Sequence, residues 1–263
     1  MNKDSLANID YSDSQGKVRW LGHVIGDADL FKGYLRQTVA SRVQDDASGF
    51  EETLRALATT GMATEQLERL LCATPDTKSW EIGEALAECF LETEPDLDVC
   101  WPWNTVRDRR TPRASLPGAD LVGFCRQEDD FWLLIGEVKT SSDASSPPGV
   151  MSGKDGMISQ LAEGATRLDI HHALLQWLHA RCSGDSDLRG MFEAAVCRYL
   201  SSSGEALFLV GVLIRDTSPK ETDLRYRGIT LASQLPGQAC AELHAWYLPI
   251  TIRDLPSLME EAA

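Results

Sequence analysis

The chain is short of positive charge, of paired cysteines and of long apolar runs. Its 25 Lys and Arg stand against 40 Asp and Glu, a formal net charge of −15 over 263 residues. That excludes a polycation that grips phosphate backbones by bulk charge alone. Seven cysteines, at positions 72, 89, 100, 125, 182, 197 and 240, are odd in number and include no C-x-x-C spacing. They point to reduced thiols in a cytoplasmic protein, not to a disulfide frame or a zinc ribbon. No stretch of about eighteen apolar residues occurs, so nothing is expected to span a membrane. Met1-Asn2-Lys3-Asp4-Ser5 leads into no apolar segment of the kind a signal peptide needs.

What charge there is lies unevenly. Residues 1–100 hold nine Lys/Arg against nineteen Asp/Glu, and residues 101–263 hold sixteen against twenty-one. A basic cluster, Arg107-Asp108-Arg109-Arg110-Thr111-Pro112-Arg113, interrupts the acidity. It is either a phosphate-facing patch or the counter-charge of the acidic N-terminal half. In the first case the protein holds DNA weakly by itself and relies on a partner subunit for capture.

After a polar start that reads as disordered, Lys17 to Gly26 predicts a strand. Leu30, Phe31, Tyr34, Leu35, Val39 and Val43 recur at helical spacing over Ala28 to Gln44. Two further helices are expected over Phe50 to Thr60 and Thr64 to Ala73. No catalytic motif falls in residues 1–78, which read as a mainly helical accessory region. Trp80 to Thr93 predicts a helix with a broad apolar face of Trp80, Ile82, Gly83, Leu86, Ala87, Phe90 and Leu91, and Glu81, Glu88 and Glu92 on its solvated side. Glu84 falls at the border, beside Trp80 and Leu91. It either belongs to the acidic stripe or reaches the adjoining sheet. Leu97 to Asn104 predicts a strand that Pro102 confines to an edge or a bulge.

Gly118 to Phe124 and Phe131 to Lys139 are short apolar runs separated by Gln127-Glu128-Asp129-Asp130, which predicts a β-hairpin. A turn centred between Glu128 and Asp129 sets Arg126 opposite Phe131 and Asp120 opposite Glu137. Opposed side chains are then about 5 Å apart at Cβ, and residues two apart share a face. Asp120, Glu137 and Lys139 crowd together. Two such carboxylates repel unless a cation lies between them. A hard divalent ion needs one or two carboxylates and leaves its other positions to water and phosphate oxygens. An adjacent lysine orients a water or neutralises charge growing on phosphate. The plain alternative is that these are the surface charges of a hairpin with one wet face. The second strand is apolar on both faces from Phe131 to Ile135, which favours a covered, central strand.

Gly118-x-Asp120 followed by Glu137-x-Lys139 resembles the PD-(D/E)XK nuclease superfamily, with Pro117 three residues ahead of the Asp instead of next to it. The resemblance implies a restriction-endonuclease-like αβββαβ core in an α/β (α+β) domain over residues 79–263, with C-terminal additions. It implies Mg2+ (or Mn2+) held by Asp120, Glu137 and the carbonyl of Val138, with Lys139 positioning the water. Gly83-Glu84-Ala85-Leu86-Ala87 is similar to the first core helix, whose acid completes the site in many members. Gln160 matches a Gln that contacts the site in some of them.

Thr140 to Gly149 reads as a flexible loop, and Met157 to about Cys182 as one long helix with Asp155 at its N-cap and Arg167 within it. His171, His172 and His179 on it lack an H-E-x-x-H pattern and read as structural. Leu188 to Leu200 predicts a helix, and Ala206 to Ile214 a buried strand parallel to its neighbour. Tyr226 to Ser233 and Leu243 to Thr251 are expected as strands, and Leu255 to Ala262 as a helix. An N-terminal extension, Gly136-Glu137-Val138-Lys139, Ile158-Ser159-Gln160-Leu161 and a late Tyr247-Leu248-Pro249 resemble the nuclease subunit of the Hachiman anti-phage system. That implies a helicase partner and a DNA substrate. The expectation is a magnesium-dependent DNA endonuclease; the alternatives are an inactive nuclease-fold scaffold and an RNA-directed nuclease.

Overall fold

Short apolar strands and amphipathic helices alternate along the chain, and in the computed structural model they form a mixed α/β fold. The structure describes residues 6–44, 49–72, 79–102, 118–127 and 130–260. The elements are β1 (Asn8–Gln15), β2 (Val18–Val24), α1 (Ala28–Tyr34), a π-helical turn (Leu35–Val39), α2 (Ala40–Gln44), α3 (Phe50–Leu57), α4 (Gly61–Cys72), α5 (Ser79–Thr93) and β3 (Asp98–Cys100). There follow β4 (Leu121–Gln127), β5 (Asp130–Ser141), α6 (Met157–Gly164), α7 (Leu168–Cys182), α8 (Ser186–Ser201), β6 (Leu207–Arg215), α9 (Arg225–Gln234), β7 (Cys240–Tyr247) and α10 (Leu255–Glu260).

All seven strands join one sheet in the order β1-β2-β7-β6-β5-β4-β3. β5, β6, β7 and β2 are mutually parallel, while β4, β3 and β1 run antiparallel to their neighbours. From α5 onward the order is helix, three antiparallel strands, helices and a parallel strand, as the sequence led one to expect. The sheet also takes β1 and β2 from the residues before 79.

Side chains of alternate parity in a strand point to opposite faces, and the two faces carry separate cores. Leu134 and Val138 of β5 pack with Val210, Val212 and Trp246 beneath Ile82, Leu86 and Phe90 of α5. Leu133 and Ile135 pack with Leu209 and Leu213 beneath Met157 and Leu161 of α6 and Leu174 of α7. β6, apolar without alternation, is buried along its whole length, as a central strand covered on both faces is.

Several local expectations are corrected. The polar N-terminal stretch is not irregular: Asn8–Gln15 forms an edge strand, turned back onto β2 through Gly16 at φ 59°. Its exposed, polar residues carry no alternation to read. Tyr11 anchors it, the ring lying where a Cβ on Gly22 would otherwise fall and the hydroxyl 2.9 Å from that of Tyr247. The long helix of 157–182 is broken at residues 165–167, where the buried His171 ring reaches back 2.7 Å to the carbonyl of Gly164. Arg167 therefore caps α7, and Gly156, not Asp155, precedes α6. Residues 225–234 are helix, not strand: Leu224, Gly228 and Leu231 are buried at helical spacing while Tyr226 and Ile229 face out. β3 is shorter than expected and ends before Pro102, at the sheet edge the proline demanded. The residues from Trp103 to Pro117, including the whole arginine cluster, lie outside the described part.

On α5 the solvated stripe is only partly real. Trp80 is 43% exposed, and Glu88 is fully buried, because α2 covers that flank and brings Arg42 Nε to within 2.5 Å of Glu88 Oε2. Burial of an acid is tolerated when a cation with hydrogen-bonding capacity meets it. Arg42→Ala should therefore cost about 3 kcal/mol in urea unfolding, and Glu88→Gln in the same background should recover part of it. An unchanged denaturation midpoint in Arg42→Ala would show that the pair carries no stability.

Candidate active site

β4 and β5 pair in the register that brings the acids together. Leu121 faces Gly136 and Arg126 faces Phe131, and the next step, where the ladder ends, sets Asp120 against Glu137. There the amide of Asp120 donates to the carbonyl of Gly136 at 3.0 Å. The Asp120 carboxylate accepts from the amide of Val138 at 2.9 Å. Lys139 Nζ donates to Glu137 Oε1 at 2.6 Å. Glu137 is 4% exposed, while Asp120 and Lys139 are half-buried, so the group opens to solvent on one side.

Burial pushes the Glu137 carboxyl up to about 7, and the Asp120 charge beside it pushes the same way, against the opposing pull of Lys139. With both carboxylates ionised, two negative charges share one ammonium.

Gly136 leaves room for this approach. A Cβ there would fall 2.6 Å from Val210 Cγ1 and 2.8 Å from the Val210 carbonyl, so no other residue fits just before Glu137. In β6, Gly211 is registered against Glu137. A Cβ on Gly211 would meet Met157 Sδ at 2.7 Å and Leu161 at 3.1 Å. The first turn of α6 is thus laid over the row that holds Glu137, on the same face. Gln160 lies in that turn, and its amide oxygen is buried without a hydrogen-bond partner. A buried acceptor left unsatisfied costs roughly 1–3 kcal/mol.

Glu84 stands differently. It is half-buried on α5, and α5 packs on the Val138 face of the sheet, opposite to Glu137. Gly83 abuts Thr140 so tightly that a Cβ would lie 2.8 Å from its methyl. The helix therefore reaches the end of β5 from the face opposite to Glu137. Val138 has its side chain in the α5 core and contributes backbone alone.

The loop after β5 is fastened. Arg215, at the end of β6 and 1% exposed, donates to the carbonyls of Asp143 at 2.5 Å and Ser145 at 3.3 Å. Asp143 accepts from the amides of Ser145 and Gly149, Ser142 bonds Asp216, and Ser146 bonds the buried Asp223. A composition of Ser, Pro and Gly suggested flexibility; the partners that restrain it lie some seventy residues away, where no local pattern announces them. Cys89, Cys100, Cys125, Cys182, Cys197 and Cys240 are free thiols, and His171 bonds Tyr199 as well as Gly164, a structural role as expected.

A family model described as HamA matches residues 14–177, which include α5, both strands of the hairpin and Gln160. The chain belongs to the HamA family. No curated protein matches it. HamA membership ties the chain to anti-phage defence by a system of more than one protein, in agreement with the resemblance read from its motifs. Among the described residues no helix is long and apolar enough to cross a membrane.

The raised Glu137 value fixes the sign of a pH effect. The native protein keeps a proton on Glu137 that the unfolded chain releases near 4.5, so this group lowers stability as pH rises from about 4.5 to about 7, with no further loss above. In chelator, the wild type should lose stability relative to Glu137→Gln between about pH 5 and about pH 8. Parallel denaturation curves at the two values would mean that Glu137 ionises normally.

Proposed function

We propose that this HamA family member is a metal-dependent nuclease that hydrolyses DNA phosphodiester bonds, working with a helicase subunit in anti-phage defence. The single observation that carries the reading is the buried Asp120–Glu137 pair with Lys139 bonded to it. Two carboxylates and a water-facing opening suit a hard divalent ion, Mg2+ or Mn2+, and not a soft one. Such an ion supplies a polarised phosphoryl oxygen and an activated water.

Asp120 and Glu137 would hold the ion, with the carbonyl of Val138 as a further ligand. The bond from the Val138 amide fixes the Asp120 carboxylate toward β5, so that its remaining lone pairs turn to the site. Lys139, now bonded to Glu137, would orient the attacking water and balance charge on the phosphate. Gln160, with an amide oxygen that has no partner, would accept a hydrogen bond from a water in the site. Glu84 would act through water around the end of β5. The loop from Ser142 to Ser146 is fastened beside this end of the sheet.

The net charge of −15 favours a rival reading, a scaffold that has kept the nuclease fold and docks basic partners. Supercoiled plasmid incubated with Mg2+ and the partner subunit separates the two. Cutting is expected from the wild type, with Lys139→Ala and Glu137→Gln slower by about 10²–10³-fold or more. No cutting by any form, with no Mg2+ or Mn2+ uptake in calorimetry, would favour the scaffold. Matched DNA and RNA substrates decide between a DNA and an RNA nuclease.

A further inference from the structure

Three groups from distant parts of the chain meet where β2, β7 and the end of α5 converge. In the sheet, Val138, Val212 and His244 occupy one row, so His244 lies on the face opposite to Glu137. His23 and His244 are 3% and 1% exposed. His23 Nε2 is 3.1 Å from His244 Nδ1, and His23 Nδ1 is 3.4 Å from Glu94 Oε1. One donor atom from each of His23, Glu94 and His244 lies within 4.8 Å of the other two. On the far side, His244 Nε2 meets Glu242 Oε2 at 3.1 Å.

We propose that His23, Glu94 and His244 form a binding site for one divalent cation of the zinc class, separate from the carboxylate pair at Asp120 and Glu137.

Counting hydrogens shows why a cation is wanted. Glu94, His23, His244 and Glu242 make a chain of three contacts. Two neutral imidazoles bring two N–H groups to it, so with ionised carboxylates one contact sets lone pair against lone pair. A cation among the donors removes the mismatch. Nitrogen and carboxylate donors together suit zinc, whose Zn–N bonds of about 2.0–2.1 Å put two nitrogens roughly 3.3 Å apart in a tetrahedron. The observed spacing of 3.1 Å needs little adjustment.

The surroundings are those of a built site. Glu242 on His244 Nε2 holds that proton in place and leaves Nδ1 to ligate, the carboxylate–histidine–metal arrangement that orients such ligands. The His23 ring is stacked on Trp246 at 4.2 Å, which is stacked on Phe90 at 4.0 Å. Arg19, the nearby cation, already has Asp96 at 3.1 Å and Glu242 at 3.7 Å. Glu94, 10% exposed at its side chain, gives the ion a way in. A bound ion would tie β2 to β7 and to the end of α5.

The test uses the full chain, stripped with chelator and titrated with zinc alone against a chromophoric chelator, with cobalt(II) as a visible reporter. Expected are one equivalent of zinc, cobalt bands of low coordination number, and a rise in Tm on loading, all kept in Glu137→Gln and Lys139→Ala. His244→Gln should abolish binding and Glu242→Gln should weaken it by about 10- to 100-fold. Glu94→Gln, at the solvent side of the core, should weaken it without loss of fold by circular dichroism. Failure of the folded wild type to take up zinc, or uptake unchanged in both Glu94→Gln and His244→Gln, would overturn the site and leave a trapped proton as the third link of the chain.

Discussion

The candidate site depends on one electrostatic conflict built into the end of a hairpin. The β4–β5 register sets two carboxylates against each other, and burial of Glu137 takes away the water that would screen them. A single ammonium from Lys139 offsets only part of that repulsion. The protein tolerates the arrangement because β5 is gripped from both sides, by β4 in one direction and by the fully buried β6 in the other. Strain of this kind survives only where the surrounding packing over-determines the geometry. The glycines at 136 and 211, each too crowded for a Cβ, show how closely that packing is drawn around the acid.

What the sequence made legible follows from periodicity and short range. The hairpin, its register, the central β6 and the helices at 28–44 and 79–93 each announce themselves in a window of about a dozen residues. The carboxylates and the lysine were legible for the same reason: a register fixes their faces once the turn is placed. β1 was not, since an exposed polar edge strand is specified by its partner and by one tyrosine, not by alternation. α9 reads as a strand in the sequence, whereas Gly228 within it serves as the flat spot against which Trp20 lies. Glu88 looked solvated because nothing in its own helix reveals that Arg42 arrives from another. The same holds for His23 and His244: the histidines that drew notice sit together on one helix, while those that meet in space come from opposite ends of the chain.

The acidity of the chain and the form of its site belong together in a HamA protein. A chain that is negative overall concentrates little nucleic acid by itself. The loop beside Lys139 is fastened in place. Arg215 and Asp223, both buried, hold it through backbone carbonyls and a serine, which keeps the approach to β5 in one shape.

The pairing of β2 with β7, Val18 beside Ala241 and Val24 beside Tyr247, has a consequence for how the protein is made. On a ribosome β2 emerges long before the strand it will lie against, while β4, β5 and their turn can associate as soon as they leave the tunnel. The sheet is completed by a late, long-range closure of the slow kind. Until then the nascent chain carries an open edge at β6 and an apolar β2 with only β1 to cover it, so newly synthesised molecules pass through a stage in which the β4–β5 hairpin is assembled before the half of the sheet that steadies it.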